Sequence, residues 1–179
     1  MKKTIIIFAI LGTMGASIWL FTRQPSPSSF ATPALKPPVA ELNKVFPTDS
    51  RSVLEQSDQF ILYSIKSHMT QDQMSTFHYY PIVGKTEIKD KKLKSDLIAH
   101  LYAGIAEAMS NDGVAGCFSP HHAIRVVKGK KTVDLVICFS CAKVQMHYGE
   151  EDKYIYITQK GQRFYDAVLA DADVPRSND

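Results

Sequence analysis

All three cysteines of the chain, Cys117, Cys138 and Cys141, fall between Cys117 and Tyr148 (CFSPHHAIRVVKGKKTVDLVICFSCAKVQMHY), together with the adjacent pair His121 and His122. Cys138-Phe-Ser-Cys141 has CxxC spacing, which suits thiol–disulfide exchange or a metal knuckle. Three sulfurs and a histidine nitrogen would make a zinc set, so Cys117, Cys138 and Cys141 with His121 or His122 form the candidate thiol or metal site. An exported chain meets an oxidising compartment, and there the expected disulfide joins Cys117 to Cys141. The odd count leaves at least one thiol unpaired in a monomer.

The elements that must position these groups argue against the chemistry. Lys128-Gly129-Lys130-Lys131 reads as a tight hairpin turn with Gly129 at its first central position. That register sets Arg125 opposite Asp134, an opposite-charge cross-strand pair. Phe118, Pro120, His122, Ile124 and Val126 then share an apolar face with Val133, Leu135, Ile137, Phe139 and Cys141. Cys117, His121 and Arg125 share the more polar face with Asp134, Val136 and Cys138. In a continuous strand, residues three apart point to opposite faces, so Cys138 and Cys141 diverge. Cys117 sits opposite Ala142, about 13 Å along the strand from Cys138, too far for a disulfide. On this alternation the cysteines pack as small apolar groups or stay unpaired, ahead of a disulfide, a metal site or redox catalysis.

Around the hairpin the sequence predicts an α+β domain over 50–179 in the order β-β-α-β-β-β-α. It has a mainly antiparallel sheet of about five strands, with two helices packed on one face. The strands are Phe60–Ile65, Phe77–Ile88, the two hairpin arms and Lys153–Thr158. Asp90 caps a helix whose stripe is Leu93, Leu97, Leu101, Ile105 and Met109, and Asn111-Asp112-Gly113 stops it. A last helix carries Phe164, Tyr165, Val168 and Leu169. Residues 24–49, rich in Pro and Ser, read as an extended linker.

Residues 1–23 read as a transmembrane signal anchor. Lys2 and Lys3 precede an uncharged run from Thr4 to Thr22, and Arg23 closes it. As a helix the run spans about 28 Å, close to the hydrocarbon thickness of a bilayer. The flanking charges keep the N-terminus inside and send the domain outward. The expected location is the inner membrane, single-pass, with the domain on the periplasmic or extracellular side, or secretion if the segment is cleaved. Lys2, Lys3 and Arg23 also account for the whole formal charge of +3. The remaining chain is neutral and carries no electrostatic footprint for nucleic acid. No phosphate-binding glycine loop, nucleophile elbow or HExxH pattern is found in the sequence.

The hairpin also resembles a family of small uncharacterised bacterial proteins with the motif pair CFxPRHGIR and VDLVICFEC. Cys117, Phe118, Pro120, His122, Ile124 and Arg125 match the first motif, and Val133 to Phe139 with Cys141 match the second. The likeness extends from about Leu54 to the C-terminal YDAVLADADVP. His121 stands where the family has Arg, Ala123 where it has Gly, and Ser140 where it has Glu. The resemblance implies no particular activity; it singles out His122 over His121. The expected function is therefore a membrane-tethered, non-enzymatic binding module, without a cofactor, for an envelope protein or small ligand. The alternative is a thiol or zinc protein using Cys117, Cys138, Cys141 and His122.

Overall fold

A computed structural model of the chain describes residues 25–33, 39–68, 75–109 and 116–177. The sheet has seven strands where about five were expected. They are β1 (Gln59–Ile65), β2 (Thr76–Phe77), β3 (Tyr80–Glu87), β4 (His122–Lys128), β5 (Lys131–Cys138), β6 (Lys143–Tyr148) and β7 (Glu151–Tyr156). Among the described residues four α-helices stand where two were expected for the domain: α1 (Val39–Val45), α2 (Thr48–Glu55), α3 (Lys91–Ala108) and α4 (Gln162–Asp171). The strand order is β2-β3-β1-β4-β5-β6-β7, with every neighbouring pair antiparallel. The five-strand, two-helix architecture is thus corrected to a curled half-barrel sheet of seven strands with four helices.

The extra strands have simple origins. β6, KVQMHY, alternates buried Val144 and Met146 with more exposed neighbours, and Gly149 at φ 60° turns the chain into β7. β2 is two residues long, too short for any periodicity to reveal it. The segment read as a linker also differs from expectation. Leu42 and Phe46 of the α1 region are fully buried in the main core, and Phe30 packs edge-on against Phe164. Apolar residues at i and i+4 gave this stretch a helical face that its prolines obscured. The apolar run Thr4–Thr22 and the stop signal Asn111-Asp112-Gly113 lie outside the described residues. Among the described residues, no helix is long and apolar enough to cross a membrane.

The expected hairpin register is observed: Arg125 is opposite Asp134, and His122 is opposite Ile137. Gly129 adopts φ 57° in the turn, and its N–H donates to Asp58 Oδ2 at 2.8 Å. One face of the sheet buries Phe60, Leu62, Ile124, Val126, Leu135, Ile137, Val144 and Met146 against the helices. The other face holds a second cluster of Tyr63, Ile65, Phe77, Tyr80, Ala123 and Val136. The β2–β3 turn reaches over this second face as far as β6, where His78 stacks on His147 with ring centroids 3.8 Å apart.

α3 touches the end of the sheet through Gly104. A Cβ there would lie 2.7 Å from Ile157 Cγ1, and Thr158 N–H donates to the Gly104 carbonyl at 3.0 Å. Overpacking at such a contact costs about 1–3 kcal/mol, against a helix-propensity gain of about 1 kcal/mol from alanine. Gly104→Ala is therefore expected to lower stability by about 1 kcal/mol in urea titration. A higher unfolding midpoint would show that Ile157 moves aside freely.

Candidate thiol site at the end of the sheet

β5 stops at Cys138, and residues 139–142 form a turn into β6. Ala142 takes φ 54°, and its N–H donates to the Phe139 carbonyl at 3.1 Å. The expected continuous strand through Cys141 is therefore wrong, and with it the divergence of the CxxC sulfurs. The turn brings the Cα atoms of Cys138 and Cys141 to 5.2 Å, and the two form a disulfide. Cys117 is the free thiol, and its Sγ lies 3.1 Å from Cys141 Sγ. The expected Cys117–Cys141 bond is thus replaced by Cys138–Cys141, with Cys117 in contact. The extrapolated separation fails because β4 begins only at His122; residues before it leave the ladder and fold toward the turn.

Backbone groups hold the sulfurs. Ser119 N–H donates to Cys141 Sγ at 3.2 Å, and Cys141 N–H donates to Cys138 Sγ at 3.1 Å. Ser140 Oγ lies 3.4 Å from Cys138 Sγ. Amide donors of this kind stabilise a thiolate on the sulfur that receives them. They stand in for the helix N-terminus that a redox CxxC pair more often uses. Cys138 and Cys141 are each 1% exposed, whereas Cys117 is exposed.

His122 does not join the sulfurs. It lies on the helix-facing side of β4, is 4% exposed, and its Nε2 meets Asp166 Oδ1 of α4 at 3.0 Å. Since a carboxylate only accepts, that nitrogen carries the proton. Burial raises the Asp166 pKa, but the His122 hydrogen bond and charge, with Arg176 at 3.0 Å, outweigh it and hold the carboxyl below its ordinary value. The motif histidine thus fastens α4 to the sheet. Phe139 of the CxxC turn packs beneath it, its ring centroid 5.4 Å from that of His122 and 5.2 Å from that of Tyr165. Pro120 is buried, and Phe118 stacks edge-on with Tyr80 and Tyr154. Among the described residues, no group of three or more His, Cys, Asp and Glu side chains is arranged to hold a metal ion.

Arg125, the remaining motif residue, anchors a polar network on the sheet's second face. Its Nε and Nη2 donate to Asp134 Oδ1 and Oδ2 at 2.8 and 2.6 Å, and His78 Nε2 meets Oδ2 at 2.7 Å. Sequence reasoning found the Arg125–Asp134 pair but missed His78 and His147, which are far apart in the chain and meet only across the curl. Burial, and then the neighbouring His78, hold the His147 pKa below the ordinary imidazole value. A histidine that resists protonation in the fold stabilises it fully above the unfolded-state pKa of about 6.5, and this contribution is lost as pH falls below that value. Stability is expected to decline between pH 7.5 and 5.5, and His147→Phe, which keeps a stacking ring, should flatten that decline. Urea midpoints at the two pH values check this; an equal slope in both proteins would exclude His147 as the cause.

Compared with protein-family models, with curated proteins and with solved structures, the chain has no match. The functional reading therefore rests on the site's own geometry.

Proposed function

We propose that this chain is a thiol–disulfide exchange protein working outside the cytoplasm, with Cys117 as its exposed relay to the buried Cys138–Cys141 pair. The observation that carries the reading is the 3.1 Å contact between the free Cys117 sulfur and Cys141 of the disulfide. The apolar run Thr4–Thr22 favours export, and a disulfide persists in an oxidising compartment.

The chemistry needs three exchanges. The Cys117 thiolate attacks Cys141 Sγ, the Cys138–Cys141 bond breaks, and Cys138 leaves as a thiolate held by the Cys141 N–H. No electrons are gained or lost in this step. A thiolate of an external dithiol then attacks the exposed Cys117, breaking Cys117–Cys141 and releasing Cys141 as a thiolate. The second external thiolate attacks its partner sulfur in the mixed disulfide and frees Cys117. The external dithiol is oxidised by two electrons, and the protein disulfide is reduced to two thiols after protonation.

This reading replaces the binding module because a passive surface does not account for three converged sulfurs. It also differs from a zinc site, since His122 is committed to Asp166. Differential alkylation of the full chain with peptide mapping tests it. Oxidised protein should contain both Cys138–Cys141 and Cys117–Cys141 pairings, interconverting faster in alkaline buffer. One inert pairing at every pH, or one tightly held zinc per chain after reduction, would overturn the reading.

A further inference from the structure

The aromatic groups beside Cys117 continue to β7, the last strand of the sheet among the described residues. Phe118, the next residue, meets the Tyr154 ring at 5.2 Å, and Lys143 Nζ lies 6.0 Å from the same ring. Tyr154 and Tyr156 of β7 are 54% and 44% exposed and project from the same side of the strand. Lys143 is opposite both Cys138 on β5 and Tyr156 on β7, so the sulfur cluster lies toward the Tyr156 end of β7. Among the described residues, β7 has β6 as its one ladder partner. Its other end carries exposed Glu150 and Glu151, about 17 Å away at strand spacing.

We infer that the edge of β7 docks the substrate of the exchange reaction as an added strand: an extended, cysteine-bearing polypeptide with basic residues about four to five positions from its cysteine. The inference rests on the proposed thiol chemistry and names its substrate class. Main-chain hydrogen bonds to the outer edge of β7 supply affinity without sequence demands, and the Phe118–Tyr154–Tyr156 ledge packs residues flanking the reacting cysteine. Glu150 and Glu151 select the charge at the distant end. The docked thiolate attacks Cys117 in the Cys117–Cys141 disulfide. The new bond joins the peptide to Cys117, Cys141 leaves as a thiolate, and the peptide's proton goes to solvent.

The test uses the oxidised full chain and synthetic octapeptides carrying one cysteine, with mixed-disulfide formation followed by mass spectrometry. A peptide with two lysines five residues from its cysteine should react about tenfold faster than its glutamate counterpart at low salt, and the difference should shrink at 1 M salt. Glu150→Lys with Glu151→Lys should reverse the preference, and Tyr154→Ser should slow both peptides. Each peptide rate is read as a ratio to the dithiothreitol rate of the same variant, because dithiothreitol needs no strand edge. Equal rates for the two peptides, or for a lysine peptide interrupted by prolines, would overturn strand docking while leaving the exchange reading intact. Failure of dithiothreitol to reduce the native chain would instead sink the exchange reading itself.

Discussion

Replacing Cys141 by serine is expected to abolish oxidation of an external dithiol, because Cys141 is the sulfur shared by both pairings. Cys117→Ser should produce a different defect. It leaves Cys138–Cys141 intact but buried, with each cysteine 1% exposed, so an external thiolate must wait for local opening. An opening that costs about 3 kcal/mol would slow the reaction by roughly 100-fold. Cys138→Ser should trap Cys117–Cys141 as the one disulfide, which an external dithiol reduces at the exposed Cys117 without a preceding internal exchange. Stopped-flow reduction by dithiothreitol, with mass mapping of the trapped species, distinguishes the three variants. If Cys117→Ser is reduced as fast as the native chain, Cys117 is not the relay.

The second large effect is expected at Asp134, where burial opposes the charge but hydrogen bonds from Arg125 and His78 outweigh it and hold the carboxyl below its ordinary value. Its side chain is 7% exposed, while that of Arg125 is 40% exposed. Removing one partner of a fully buried ion pair costs about 3–5 kcal/mol. Solvent around the guanidinium screens part of that, so Asp134→Ala is expected to lower stability by about 2 kcal/mol. The loss should also uncouple the β2–β3 turn, because His78 then has no carboxylate beneath its stack with His147. A carboxyl whose folded pKa is depressed stabilises the protein above its unfolded-state value, near 3.8, and loses that contribution as pH falls through the folded value. Acid unfolding of the native chain should therefore steepen below about pH 4, and Asp134→Ala should remove that component. A midpoint shift equivalent to less than about 0.5 kcal/mol would mean the pair is no stronger than a surface salt bridge.

The two effects come from opposite degrees of legibility. Arg125 and Asp134 were paired from the sequence because Gly129 marked the turn, and antiparallel pairing then assigns every opposite residue by counting. The same counting failed for the cysteines. It assumed that alternation continued to Cys141, but the strand ends at Cys138, and Ala142 takes a left-handed backbone to close the turn. Ser140 alone marks that reversal in VICFSCAK, and weakly, since the turn lacks glycine, proline and asparagine. Phe139 was expected to face the core and does, which left the apolar pattern undisturbed by the change of course.

Local periodicity in the chain was enough to define the β4–β5 hairpin with its faces and the capped start and buried stripe of α3 from Leu97 to Ile105, because each depends on neighbours a few residues away. Met109, expected on that stripe, is 41% exposed. The thiol cluster, the bond between His122 and Asp166, and the stack of His78 on His147 join residues separated by 24, 44 and 69 positions. Those contacts depend on how far the sheet curls and where each strand stops. Both are set by packing summed over the whole fold rather than by any local pattern.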